Sequence, residues 1–336
     1  MQPTPFIPQK PLERFAQIES FAVPPRRWYR DGVILRLSCM GLVTARGEPE
    51  EIARRFEHTA GELKRSAGWF GTLNSPVRFA VAATLVRREQ SAGSFAVELD
   101  RVQRMMREER LPRGYMREVM AILLLSGAHP NMETPRSSVE HLGGFYRAMK
   151  ARKWMLTGVD DYPACVLLCR TDVDPEEILD RVDHLYDGLH KAGFWRGNAL
   201  QTASHFLYFC PLEDGLAMDR FIDIFGAFKE AGLRMHQSDY ALVATLTFLD
   251  EAHERVVECV LDHRRELLAH TGAKGKAEGF RLAVMTAFQE LAAHGEQNAW
   301  AADTSRLLGV VDLIAAQQSA AIIVATSASH NAAASH

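Results

Sequence analysis

Five stretches of this chain share one phrase, a turn ending in a large apolar residue followed within a few positions by an apolar run: SAGWFGTLNSPVRFAVAATL, EERLPRGYMREVMAILLL, ARKWMLTGVDDYPACVLL, KAGFWRGNALQTASHFLYF and EAGLRMHQSDYALVATLTF. Aligned on Trp69, Leu111, Trp154, Phe194 and Leu233, they recur at intervals of 42, 43, 40 and 39 residues. A step of about 40 residues is the length of one helical hairpin in stacked α-repeat proteins. No other feature of the sequence restricts the fold as strongly.

Helix signals fall in register with that step. In DVDPEEILDRVDHLYDGLHKAG, Asp174 is placed as an N-cap and Pro175 stands at the first helical position, with Glu176 and Glu177 in the first turn. Ile178, Leu179, Val182, Leu185, Tyr186 and Leu189 then form one apolar stripe until Gly193 stops the helix. GEPEEIARRFEHTAGELKRSAG repeats the design, with Pro49, Glu50 and Glu51 at the start, Ile52, Phe56 and Leu63 on one face and Gly68 at the end. Six residues past each alignment point lie Ser75, Arg117, Asp160, Leu200 and Asp239, where a second helix is expected to begin. The second helices are apolar nearly all round, which is the pattern of a buried helix. The sequence therefore predicts an all-α protein of amphipathic outer and apolar inner helices, in hairpin repeats of about 40 residues forming an α-solenoid or an α/α toroid.

A sixth hairpin is expected from ERVVECVLDHRRELLAH and GFRLAVMTAFQELAAHG, and DGVILRLSCMGLV is expected to cap the first repeat as an unpaired helix. MQPTPFIPQKPLERF has four prolines in its first eleven residues and no signal-type apolar run, so it reads as an extended lead-in. The resulting division is an extended N-terminal arm over 1–30, a helical repeat domain over 31–300, a terminal capping helix over 301–326 and a disordered tail over 327–336. The apolar segment 307–325 is broken by Asp312 and by Gln317, Gln318 and Ser319, which argues for a capping helix and against a membrane span.

The AGF or AGW turn followed by an apolar helix resembles an uncharacterised all-helical bacterial family of unknown function, over about residues 50–290. That resemblance implies a helical fold and brings no catalytic signature. The Gly-aromatic turn before an inner helix is also similar, more faintly, to the repeats of protein prenyltransferases and terpene cyclases. Their Asp-rich signature and zinc ligand set do not appear here, so this likeness implies only the geometry of a closed α/α toroid.

Net charge is −3, but residues 1–153 carry 25 Lys+Arg against 16 Asp+Glu, whereas residues 154–336 carry 14 against 26. A split of +9 and −12 points either to an anionic partner for the basic half or to mutual attraction between halves. The five cysteines (Cys39, Cys165, Cys169, Cys210 and Cys259) are odd in number and sit in helical patterns, as small buried thiols of a reducing, cytoplasmic setting do.

Candidate site residues are weighed against structural roles. Polar residues at the starts of inner helices, Arg78, Glu118, Asp161, His205 and Asp239, would converge in the pocket of a closed ring. His205 occupies the column held elsewhere by Ala80, Ile122, Cys165 and Ala244, which marks it as a core histidine before a base or ligand contact. Arg101, Arg104 and Arg107, with Lys150 and Lys153, could form a basic stripe for phosphate backbones, although solvated charge is the commoner reading. Asp180, Asp183, His184, Asp187 and His190 read as the solvated face of an outer helix. Cys165 with Cys169, and Cys259 with His263, are i, i+4 pairs, and a pair falls short of the three or four donors of a zinc site, so no metal or other cofactor is expected. Phosphate-binding GxxxxGK[ST], dinucleotide GxGxxG, HExxH and GxSxG patterns are absent from the sequence.

These readings lead to a binding or scaffolding module that uses a concave surface for a protein or small-molecule partner, without membrane attachment. The alternatives are an enzyme with a central polar pocket in an α/α toroid and a nucleic-acid backbone binder.

Overall fold

The computed structural model of the chain describes residues 6, 8–22, 32–67, 72–111, 113, 115–126, 134–152, 165, 166, 168, 169, 173–271 and 276–294. Those residues form thirteen α-helices and no strand. In chain order they are α1 (Pro11–Ala22), α2 (Gly32–Leu42), α3 (Pro49–Ser66), α4 (Val77–Arg87), α5 (Ala92–Glu108), α6 (Tyr115–Ser126), α7 (Pro135–Ala151), α8 (Pro175–Lys191), α9 (Asn198–Tyr208), α10 (Asp214–Glu230), α11 (Tyr240–Leu246), α12 (His253–Thr271) and α13 (Lys276–His294). Short 3-10 turns at Thr72–Asn74 and Gln237–Asp239 precede α4 and α11. The chain divides into two compact units, one built on Glu13–Asp172 and the other on Val173–Leu307.

The outer helices begin at Pro49, Ala92, Pro135, Pro175 and Asp214, steps of 43, 43, 40 and 39 residues. In α8, Asp174 caps the first turn by accepting the Glu176 N–H at 2.8 Å, and Pro175 is the first helical residue. Its expected stripe, Ile178, Leu179, Val182, Leu185, Tyr186 and Leu189, is buried throughout. α3 buries Ile52, Phe56 and Leu63 in the same manner. α4 and α9 are buried on nearly every side, as apolar periodicity without a polar face requires.

Within the first unit α3 packs on α4 and α5 on α6, while α3, α5 and α7 lie side by side and α2 covers α4. Within the second unit α8 packs on α9, α10 on α11 and α12 on α13, and α9 also packs on α11. Those contacts pair successive helices as hairpins within each unit, with α2 packed on α4.

The recurring turn has a common geometry. Gly193 (φ +99°) donates to the His190 carbonyl at 2.9 Å and Phe194 to the Leu189 carbonyl at 3.2 Å. Gly232 and Leu233 repeat the pattern with Lys229 and Phe228, both at 3.0 Å. This paired arrangement satisfies the last carbonyls of the helix and needs a left-handed residue before the apolar one. In α5 the left-handed place falls to Arg110 (φ +58°), with Leu111 donating to the Met106 carbonyl. The apolar residue then anchors the next hairpin: the Phe194 ring lies 5.0 Å from Phe221, 5.1 Å from Phe225 and 5.3 Å from Tyr240, all edge-on.

One expectation needs correction. Within the segment 1–30 read as extended, Pro11–Ala22 is an α-helix that buries Phe15 and Ile18 completely. Its proline stands at the first helical position, where a missing N–H costs nothing, so the proline-rich lead-in marks a helix start. Arg14 holds it in place by donating to the carbonyls of Val43 at 2.9 Å and Ala45 at 2.8 Å. The segments 301–326 and 327–336, expected as a capping helix and a tail, lie outside the described residues. No helix among the described residues is long and apolar enough to cross a membrane.

Candidate functional site

Arg78, Glu118 and Asp239, at the starts of inner helices, are each engaged by backbone groups. Arg78 donates to the carbonyls of Asn74 at 3.2 Å and Ser75 at 2.9 Å, and its guanidinium lies 4.3 Å from the centre of the Phe79 ring. Glu118, on α6, accepts the Thr72 N–H at 2.8 Å and so caps the 3-10 turn before α4. Asp239 accepts the His236 N–H at 2.8 Å in a capping box. Asp161 lies outside the described residues.

His205 is 4% exposed on α9, and its Nδ1 has no hydrogen-bond partner. Burial alone pushes its pKa down to about 4, so the ring is neutral at physiological pH. It sits among Ala203, Ser204, Phe206 and Leu207, all buried, which is the environment of a core residue.

Of the basic stripe, Arg101 pairs with Glu98 at 3.5 Å and Arg104 with Asp100 at 3.4 Å, each within α5. Arg107 and Lys150 are exposed on α5 and α7, and Lys153 lies outside the described residues. Glu108 and Glu109 are engaged from α7 by Arg136 at 2.6 Å and Arg147 at 3.6 Å. The acidic and histidine residues of α8 lie on its half-exposed to exposed side, where Asp187 meets Arg196 at 3.4 Å and His190 Nδ1 lies 3.0 Å from the Phe194 carbonyl.

An open cleft of about 700 Å³ lies where α3, the end of α4 and the start of α5 meet. That volume is within the range of small-molecule and peptide sites. Thr59, Leu85 and Val86 form its buried floor, and Glu51, Arg54, His58, Glu89 and Gln90 form a rim of both charge signs. Arg55 braces the cleft by donating to the Val86 carbonyl at 2.8 Å across to α4 and to the Arg46 carbonyl at 3.2 Å. Glu89 holds φ +55° at the α4 terminus, an unusual backbone for a residue with a side chain.

All five cysteines are buried thiols. Cys165 donates to the Met149 sulfur at 3.3 Å and Cys169 to the Val166 carbonyl at 3.3 Å, as small core residues do. Cys259 differs. Packing of α12 on α13 brings Glu290 to the Cys259 and His263 pair, so that one donor atom from each residue lies within 4.8 Å of the others. Burial first, then the nearby Glu290 carboxylate, pushes the Cys259 thiol up to about 12. Sequence reasoning found the i, i+4 pair but missed Glu290, because its register against α12 is set by the loop and packing of a later helix.

Paired, hairpin-packed helices with a mixed-charge cleft at a hairpin end define an all-helical protein whose fold alone dictates no reaction. The chain belongs to the family described as Protein of unknown function (DUF4003), whose model matches residues 27–319. It is similar to the Uncharacterized protein YeaA of Bacillus subtilis (strain 168), 28% identical over 312 residues that cover 89% of each chain. No solved structure matches.

Proposed function

We propose that the protein is a binding module that takes a small polar ligand or a short peptide segment into the cleft between α3, α4 and α5, as part of a solenoid or toroid of stacked hairpins. The cleft carries this reading: it has an apolar floor for contact area and a rim of both charge signs for orientation. Because α4 and α9 are buried on nearly every side, recognition falls to the hairpin ends and not to the flanks of the inner helices. A reducing, cytoplasmic setting fits five buried thiols.

The test is a thermal-shift panel of zwitterionic metabolites and short peptides on the full chain, repeated with Arg54→Ala, a rim residue that is exposed and outside the core. A ligand that raises Tm by a few degrees in the parent and not in the variant supports the cleft, since binding to the folded state stabilises by mass action. Stabilisation unchanged by Arg54→Ala would move the site elsewhere. Chemical conversion of the bound ligand, followed by mass spectrometry, would favour the enzyme reading.

A further inference from the structure

We infer that Cys259, His263 and Glu290 form a binding site for a divalent transition metal, zinc above all, on the face shared by α12 and α13. Cys259 and His263 are one helical turn apart and so project from the same side of α12. Glu290 comes from α13, which packs on that side. His263 Nε2 lies 3.0 Å from Glu290 Oε2, and Cys259 Sγ lies 3.8 Å from Glu290 Oε1.

These separations suit a shared ion. With zinc bonds of about 2.0 to 2.3 Å in a tetrahedron, neighbouring donor atoms fall about 3.3 to 3.6 Å apart. The two spacings to Glu290 straddle that value, on its two carboxylate oxygens, and the three donors lie within 4.8 Å of one another, so a modest side-chain adjustment brings them onto one ion.

A second observation concerns His263 itself. The residue is 9% exposed, and its Nε2 faces the Glu290 carboxylate oxygen at ion-pair distance, 3.0 Å. An imidazole and a carboxylate held this close on two packed helices are a pair that one metal ion can take as ligands. On the same two helices Val256, Val260 and Leu267 of α12 and Phe288 and Leu291 of α13 are buried.

The donor set selects the metal. One sulfur, one imidazole nitrogen and one carboxylate oxygen suit zinc and its borderline neighbours, and disfavour magnesium and calcium, which take oxygen ligands. Among the described residues the cluster has three donors. Three protein donors leave a fourth position for water or an exchangeable ligand, which Glu290, with 28% of its side chain exposed, leaves open to solvent. Binding displaces the thiol proton of Cys259 into solvent, because the thiolate is the ligand form.

Cobalt(II) serves as the spectroscopic probe on the reduced full-length chain. The expected result is saturation at one equivalent, with tetrahedral d–d bands and a thiolate-to-cobalt charge-transfer band, both bleached by one equivalent of zinc. Cys259→Ser is expected to abolish the charge-transfer band, and His263→Gln and Glu290→Gln to weaken metal binding at least about 100-fold. Circular dichroism verifies that each variant is folded. Should Cys259→Ser lose its helix, Glu290→Gln decides, because it keeps the side-chain shape: zinc should raise Tm in the parent and not in that variant. A charge-transfer band that survives Cys259→Ser, a zinc stabilisation that survives Glu290→Gln, or parent protein that retains no zinc through gel filtration would each overturn the site. None of these outcomes depends on the α3–α4–α5 cleft.

Discussion

At the residue scale, His205 shows how a side chain that looks chemical is made structural by its surroundings. Buried among apolar neighbours, it keeps a pKa of about 4, while the unfolded chain protonates it near 6.5. A folded-state pKa below the unfolded one means that the unfolded state binds more protons between those values. The neutral ring therefore costs nothing above about pH 6.5, and stability falls as pH drops from about 6.5 to about 4, by up to about 3 kcal/mol. The urea midpoint of the parent is expected to decline across that window more steeply than that of His205→Leu, and parallel declines would show that the ring titrates freely. Backbone geometry gives a second residue-scale prediction. Arg110 occupies a left-handed conformation that costs a side-chain-bearing residue about 1–2 kcal/mol and glycine almost nothing. After the extra chain entropy of glycine is counted, Arg110→Gly should stabilise by about 0.5–1 kcal/mol in urea unfolding. No gain would mean that the Arg110 side chain contributes as much as its backbone loses.

At the element scale, the turn between α8 and α9 is closed by Tyr186, which is 1% exposed and whose hydroxyl accepts the Gly197 N–H at 3.0 Å. Tyr186→Phe keeps the ring packing and removes the acceptor, so a loss of about 1 kcal/mol is expected by urea unfolding. An unchanged midpoint would mean that water replaces the hydroxyl. The same hairpin shows what the sequence could reveal. Asp174, Pro175 and Gly193 mark α8 through local backbone chemistry, and the stripe from Ile178 to Leu189 follows from helical period alone, so both ends and the buried face were legible. The first helix was misread because four prolines suggested an extended chain, although Phe15, Ile18 and Ala22 already held helical spacing. The roles of Glu118 and Glu290 were not legible. Glu118 caps a turn 46 residues away, and Glu290 meets Cys259 31 residues away, and both partnerships depend on how one helix is rotated against another. The short-range signals of a sequence do not fix that rotation.

At the scale of the whole molecule, the chain divides after Asp172 into two compact units, the second of which also takes in Gln9–Leu12. The unit built on Val173–Leu307 has three hairpins, α8 with α9, α10 with α11 and α12 with α13. These are tied by α9 on α11, α10 on α12 and α11 on α13, so every hairpin has a neighbour. In stacked repeats stability is roughly the sum of intrinsic terms and nearest-neighbour interfaces, and about three repeats suffice for a stable core. The aromatic group of Phe194, Phe221, Phe225 and Tyr240 spans two of these hairpins, and Phe228 on α10 meets Phe280 on α13 with ring centres 5.3 Å apart. All these contacts are internal to residues 173–307. A fragment of residues 173–307 is therefore expected to be strongly helical by circular dichroism and to unfold in urea in one cooperative transition. Phe194→Ala in that fragment should remove the shared ring contacts and cost about 3–5 kcal/mol, the usual range for a buried aromatic. A fragment that is helical but melts without a cooperative transition would show that its hairpins form locally yet draw their packing from the remainder of the chain.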